Sequence, residues 1–318
     1  MRDISKEQIL RRMQTENPWW AVPHQLGEQY GKLNPRAYFS SFQGILTKTG
    51  IKRALLLLGS RRVGKTVLIH HSIQALIDIG VSPKRVCYIS VDHPLYNGRT
   101  LEDLLAFYDE AAGINHRTEE CFVYFDEIQY LKGWEVHLKI LVDASLPSRF
   151  IASGSAAAAL KMKSHESGAG RFTEFLLPPL TFSEYLDLLG AGDPLKPASD
   201  GKIGEAVDIE QLNRHFTQYL NYGGYPEVAL SELIQQDPGR YIKSDIIDKV
   251  LLRDLPGLYG IQDIQELNYL FTTLAYNTAQ EISLEQLAQG SGVAKNTIKR
   301  YIEYLEAAFL IKVVHRID

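Results

Sequence analysis

The segment Gly59 to Thr66 reads GSRRVGKT and fits G-x-x-x-x-G-K-[ST] without a gap. This spacing serves phosphate chemistry: backbone N–H groups from about Ser60 to Thr66 converge on a β-phosphate at the positive end of a helix dipole, and the glycines permit close approach. The expected contact stretch is Gly59, Ser60, Arg61, Arg62, Val63, Gly64, Lys65, Thr66 and Val67. Lys65 reaches the β- and γ-phosphates in such a loop, and the Thr66 hydroxyl ligates Mg2+. Two adjacent acids, Asp126 and Glu127, close the apolar run CFVYF. The first is the expected metal residue and the second the general base that deprotonates an attacking water. Ser153, at the tip of RFIASG, either hydrogen-bonds that water or the γ-phosphate or simply makes a turn. Arg171 follows the glycine-containing run Ser164–Gly170 and is either a phosphoryl-stabilising arginine, in cis or in trans, or a solvated one.

Residues of this kind work only if strands and helices aim them. ALLLL before Gly59 is a short apolar run bounded by glycine, which predicts a buried strand, and the amphipathic VLIHHSIQALIDI predicts the helix the loop enters. The alternation continues with strand 85–92, helix 100–113, strand 121–127, helix 134–144, strand 149–154 and a fifth strand in FTEFLLPPL. It predicts an α/β fold, a parallel sheet with helices on both faces and ligands at the carboxyl ends of the strands.

With 318 residues, 45 % of them hydrophobic, the chain is long enough for two domains and a real core. A net charge of −4 leaves no overall basic field, so any nucleic-acid contact must come from a local patch. Cys87 and Cys121 lack the Cys or His neighbours that a zinc site needs, and no run approaches the length of a membrane span. With no apolar signal core in MRDISKEQILRRM, a reduced, cytoplasmic protein is the expectation. Trp19 and Trp20, beside Pro18, are expected to pack the lead-in onto the domain after it.

The segments LLLLGSRRVGKT, FVYFDEIQYLKGWE, IASGS, GAGRF, LPPLTFSEYL, YGGYPEV and KVLLRD occur in this order. Together they resemble the prokaryotic AAA-like P-loop ATPases related to the STAND group, over most of residues 50–315. The resemblance implies ATP and Mg2+ as cofactors, glutamate-activated hydrolysis, and the additional-strand class of five-stranded sheet in order 5-1-4-3-2. It also implies a helical lid and a C-terminal winged helix. In Gly224-Tyr225-Pro226 the resemblance puts Pro226 against the adenine, although a proline also breaks helices for its own reasons. Arg253 either reaches a nucleotide across a subunit contact or pairs locally with Asp254 or solvent. Members usually carry a nuclease-like domain at the carboxyl end, and this chain, ending at Asp318, is expected either to be truncated or to lack it.

The residues after Gly190 to about Glu210 read as a loop, and HFTQYLNYGGYPEVAL, RYIKSDIIDKVLLRD and QELNYLFTTLAYNTA suggest the helical lid. The stretch from Ile282 onward has helix-turn-helix character: Ser283 and Gln286 at capping spacing, a Gly-Ser-Gly turn, then Ile298, Tyr301, Ile302, Leu305 and Phe309 at helical spacing. FLIKVV is expected to start the wing. Lys295, Asn296, Lys299 and Arg300 lie where this motif meets DNA. Glu303 and Glu306 oppose that, and residues 281–318 hold five basic and five acidic side chains. The expected organisation is a lead-in at 1–50, an ATPase core at 51–190, a helical lid at 191–280 and a winged helix at 281–318. Two functions fit: a DNA-binding ATPase whose nucleotide state sets how the winged helix is presented, or an ATP-driven signalling or oligomerisation switch that contacts protein.

Overall fold

Five apolar runs build one all-parallel sheet in the computed structural model, which describes residues 4–22, 28–48, 52–155, 170–191 and 209–315. The strands are β1 (Ala54–Leu58), β2 (Val86–Ser90), β3 (Phe122–Asp126), β4 (Arg149–Gly154) and β5 (Phe172–Leu176), in spatial order β2-β3-β4-β1-β5. This is the 5-1-4-3-2 order the resemblance implied. Ser164–Ala169 and most of the expected loop after Gly190 lie outside the described residues.

Parallel neighbours cannot be joined by a hairpin, so helices cross over the sheet and bury both its faces. The helices around the sheet are α1 (Lys6–Glu16), α2 (Phe39–Leu46), α3 (Lys65–Asp78), α4 (Leu101–Ala112) and α5 (Trp134–Asp143). Side chains alternate between faces along each strand. Leu56, Ile89, Val123 and Ala152 pack with α1, α4 and α5, while Leu57, Tyr88, Tyr124 and Ile151 pack with α2 and α3. Each fully buried leucine or isoleucine contributes about 1.5–3 kcal/mol.

The outer edge of β2 is closed by the lead-in. Asn17 pairs with Tyr88 as a strand would, its Nδ2 donating to Tyr88 O at 2.9 Å and its Oδ1 accepting from Tyr88 N at 2.6 Å. Trp19 and Trp20 each donate an indole N–H to Val86 O, at 2.9 and 2.8 Å. These bonds satisfy backbone groups that an open edge would leave unpaired. The tryptophans therefore pack the lead-in, as expected.

Beyond β5 come α6 (Phe182–Leu188), α7 (Ile209–Tyr222) and α8 (Pro226–Leu230). Residues 238–259 form a continuous helical run that widens into π turns at Ile242–Ile247 and Val250–Asp254. The chain finishes with α9 (Ile264–Tyr276), α10 (Leu284–Ser291) and α11 (Lys295–Ala307). One apolar cluster joins Val250, Leu251, Leu255, Leu267, Leu270, Ile298 and Leu305, so residues on both sides of position 280 share a core. Helices α10 and α11 are separated by the left-handed Gly292. The wing does not follow, because residues 311–315 form no strand among the described residues. FLIKVV is apolar enough for a strand, but Leu310 and Ile311 pack against the helical cluster, and no strand among the described residues pairs with it.

Candidate active site

The loop between β1 and α3 has the geometry its glycines suggest. A Cβ on Gly59 would sit 2.5 Å from Leu177 O, and Gly64 has φ +100°, so each position needs the missing side chain for a different reason. The loop leads into α3, whose first residue is Lys65. Lys65 is buried, with Nζ donating to Gly59 O and Ser60 O at 3.0 Å each, and burial lowers its pKa.

The carboxyl ends of β3 and β4 bring the remaining polar groups to the same place. Thr66 Oγ1 donates to Asp126 Oδ2 at 2.8 Å, across sixty residues of sequence. Ser153 Oγ donates to Asp126 Oδ1, and Glu127 N lies 3.2 Å from both Ser153 Oγ and Asp126 Oδ1. Tyr88 adds a fourth donor, its hydroxyl 2.7 Å from Asp126 Oδ2. Nothing in the sequence singled out Tyr88, because its role arises only from the pairing of β2 with β3, which sets Tyr88 beside Tyr124.

Glu127 occupies the left-handed region at φ 56°, which costs a non-glycine residue on the order of 1 kcal/mol. Burial pushes its carboxyl pKa up, Lys65 opposes that, and the Asp126 charge adds to the rise. Gln129 Nε2 donates to Glu127 Oε2 while Gln129 Oε1 accepts from Ser155 N at 3.3 Å. Glu127 is therefore oriented on one side by the sheet and on the other by its own turn.

An Mg2+ ion bound with a triphosphate takes few protein ligands, filling most positions with phosphate oxygens and water. The adjacent hard oxygens of Thr66 and Asp126 fit that requirement. The described residues hold no cluster of three or more His, Cys, Asp or Glu of the kind that would cage a metal without a nucleotide.

Two arginines of the loop reach the helical segment. Arg61 Nη1 donates to Asp254 Oδ2 at 3.3 Å, and Arg62 Nη1 donates to Glu227 Oε2 at 3.2 Å with Asp245 at 3.8 Å. Pro226 lies beside the loop, its Cγ 3.9 Å from where a Cβ on Gly64 would be. Arg253 stacks its guanidinium over the Tyr130 ring at 5.6 Å. A further arginine, invisible to motif reading, braces the loop from below. Arg36 donates to Val63 O at 2.6 Å and to Pro178 O at 2.9 Å, and forms a two-pronged pair with Glu184 at 2.8 and 3.1 Å. Burial alone would raise the Glu184 carboxyl, but Arg36 and the Thr181 and Ala37 amides outweigh it and hold its pKa below the usual range.

Arg171 is not brought to this site within the chain. It precedes β5, and its carbonyl accepts from Ala54 N at the amino edge of the sheet, 3.0 Å away. The strand's five residues put it about 16 Å from the carboxyl edge, and its Nε pairs with Asp143 at 2.7 Å. A stabilising role in cis is therefore corrected: a residue preceding a parallel strand is delivered to the end opposite the phosphate loop. At the C-terminal helix, Asn296, Lys299 and Arg300 are exposed as expected, but Lys295 is ion-paired with Glu285 of α10.

Residues 51–186 match the family model described as an AAA domain, and residues 213–318 match a domain of unknown function, DUF8612. The phosphate loop, the paired acids and the five-stranded parallel sheet, together with that match, define an AAA-like P-loop ATPase domain in this part of the chain. Among individual proteins, the chain is 27 % identical over 281 residues to the uncharacterized protein MJ1637 of Methanocaldococcus jannaschii, covering 82 % of this chain and 56 % of that one. It is 25 % identical over 260 residues to an uncharacterized protein of Haemophilus influenzae, covering 79 % and 60 % respectively. The chain thus spans little more than half the length of these relatives. Among solved structures, it is similar to the Aeropyrum pernix ORC1 protein in complex with DNA, at 12 % identity, TM-score 0.42, and coverage of 94 % of this chain and 89 % of that one. It is also similar to the S. cerevisiae Hsp104-ADP complex, at 17 % identity, TM-score 0.43, and coverage of 89 % and 40 %. Likeness at these scores carries no argument about function. No helix among the described residues is long and apolar enough to cross a membrane.

Proposed function

We propose that the chain binds Mg-ATP and hydrolyses it, with the nucleotide state governing how its C-terminal helix-turn-helix is presented. The observation that carries this reading is the convergence of Thr66 and Ser153 on Asp126 beside the phosphate loop, with Glu127 next in the chain. Lys65 and the loop amides of Ser60 to Thr66 hold the phosphates, and Thr66 and Asp126 hold the Mg2+. Bound there, the ion neutralises charge on the phosphate oxygens. Glu127, its pKa raised by burial, accepts a proton from the attacking water, and Ser153 orients the groups around it. Pro226 beside Gly64 supports a STAND-like placement of the adenine. The two free, buried cysteines suit a cytoplasmic setting.

Calorimetry and phosphate release test the assignment together. Lys65→Ala should abolish ATP binding, Asp126→Asn should weaken metal dependence, and Glu127→Gln should bind Mg-ATP but turn over about 100-fold or more slowly. Parent-like affinity in Lys65→Ala or parent-like turnover in Glu127→Gln would sink it.

DNA as the output ligand is supported by exposed Asn296, Lys299 and Arg300 on the first turns of α11. The Lys295–Glu285 pair and the lack of a wing strand among the described residues favour the rival, an oligomerisation or protein-contact switch in which Arg171 or Arg253 acts across subunits. Mobility shift at two salt concentrations separates them, since phosphate contacts weaken steeply with salt. Binding that Lys295, Lys299 and Arg300 changed together to alanine removes supports DNA; no binding by the parent supports the rival.

A further inference from the structure

Arg61, in the phosphate loop, is a guanidinium only partly satisfied by its surroundings. Its Nε is buried with no acceptor among the described residues, and its Nη1 reaches Asp254 at 3.3 Å, a long distance for a charged pair. Asp254 is held no more firmly by its other neighbour, the Tyr130 hydroxyl, at 3.5 Å. A guanidinium presents five donors in a rigid fork that matches phosphate oxygens, so a partly satisfied one beside a phosphate loop has a better partner available when a triphosphate is bound.

The other end of the contact is equally unusual. Asp254 closes one of two π turns in the 238–259 helical run, and Asp245, which faces Arg62, lies in the other. π turns are rare and are frequently found at functional sites, where a helix carries one residue more than the regular ladder accommodates. Both acids belong to the segment that matches the second family model, and both arginines to the segment that matches the AAA domain. The loop that would hold phosphate is therefore also the joint between the two segments.

We propose that Arg61 senses the terminal phosphate: its guanidinium exchanges Asp254 for a γ-phosphate oxygen, and the loss of that pair releases the π-turn helix. The inference rests on the ATPase reading and adds to it the route by which nucleotide reaches the C-terminal helices. An ADP molecule has no γ-phosphate to compete with Asp254, so the Arg61–Asp254 pair persists with ADP and yields to ATP. Arg62, tied to Glu227 and Asp245, keeps the helix tethered while Arg61 lets go.

Two measurements on the full chain test this: affinity for N-methylanthraniloyl ATP and ADP with Mg2+, and hydrogen exchange across 238–259 with each nucleotide. In the parent, ATP but not ADP should raise exchange in 238–259. Arg61→Ala should weaken ATP about tenfold or more while sparing ADP, the cost of one charge-assisted phosphate contact, and should abolish the exchange response. Retained ADP binding shows that this variant is folded. Asp254→Asn, approaching the same contact from the other side, should bind ATP at least as tightly as the parent and show raised exchange without nucleotide. An unchanged ATP-to-ADP ratio in Arg61→Ala overturns the proposal, as does an ATP response in 238–259 that survives the substitution. Equal loss of both nucleotides by a folded Arg61→Ala overturns it too, because Arg61 would then be a general anchor; if that variant does not fold, Asp254→Asn decides. Failure of the parent itself to bind either nucleotide is a different result, which removes the ATPase reading and this inference with it.

Discussion

Strands β1 and β3 are buried along their whole length, whereas helix α7 buries none of its residues fully and leaves Ile209, Phe216 and Leu220 exposed. The sheet is gripped on both faces by helices, so its carboxyl edge is a rigid platform for Asp126, Glu127 and Ser153. The helical part beyond it has two smaller apolar clusters, one around Leu180, Tyr185 and Ala229 and one around Leu251, Leu267 and Leu305, and its ionic links to the phosphate loop are partly exposed at Arg62 and mostly buried at Arg61–Asp254. The exposed Arg62 pairs cost little to break and remake. A fixed sheet edge beside a more loosely held helical segment is the contrast on which the proposed nucleotide-driven switch rests.

The contrast is most severely tested at Arg36, which belongs to the rigid side. Arg36→Ala strands the buried Glu184 carboxylate, and denaturant unfolding should show a loss of about 3–5 kcal/mol, with weaker ATP binding because Val63 O loses its brace. A loss below about 1 kcal/mol would mean that the core beneath the loop is no more rigid than the helices.

His70 probes the same core through pH. It is buried against Tyr30 and Tyr88 with ring centroids 4.0 and 4.8 Å away, and burial lowers its pKa to about 4. The unfolded chain, with an ordinary histidine near 6.5, takes up the proton first as pH falls. Stability should therefore decline between about pH 6.5 and 4, by about 2 kcal/mol at pH 5 relative to pH 7.5. His70→Phe should remove that component from urea titrations at the two pH values. Identical pH dependence in the variant would show that the imidazole is not held neutral.

On the helical side, Ala294 caps α11 without a side-chain hydrogen bond. Ala294→Ser should add about 1 kcal/mol and raise the melting transition by a few degrees, without adding DNA affinity. If the two regions melt separately, only the helical transition should move. The smallest effect belongs to Arg171→Ala, which breaks an exposed pair with Asp143 and should cost less than about 1 kcal/mol. Its ATP turnover in dilute solution should match the parent. A loss of turnover that appears only as protein concentration rises would instead assign Arg171 a role across subunits.

The order of strands and helices in the core, the phosphate loop and the paired acids can all be read from the amino-acid sequence. Each of these is written locally, as an apolar run, a glycine spacing or a capping residue, and a fully buried parallel strand has little freedom to be anything else. Helices α10 and α11 were legible for the same reason, through Ser283 and the stripe Ile298, Tyr301 and Leu305. The wing was not, because an apolar run specifies a strand only if a neighbour is there to pair with it. Folding in three dimensions is what sets Tyr88 against Asp126, lets Arg36 brace the loop through Glu184, and brings Arg61 to Asp254. The same holds for Arg171, whose place at the far end of the sheet comes from the direction of β5 rather than from its neighbours in sequence. The partners of Tyr88, Arg36 and Arg61 lie 38, 148 and 193 residues away, and a lone arginine or tyrosine carries no local pattern that names its partner. The sheet's direction and register bring them together, and those are properties of the packed chain.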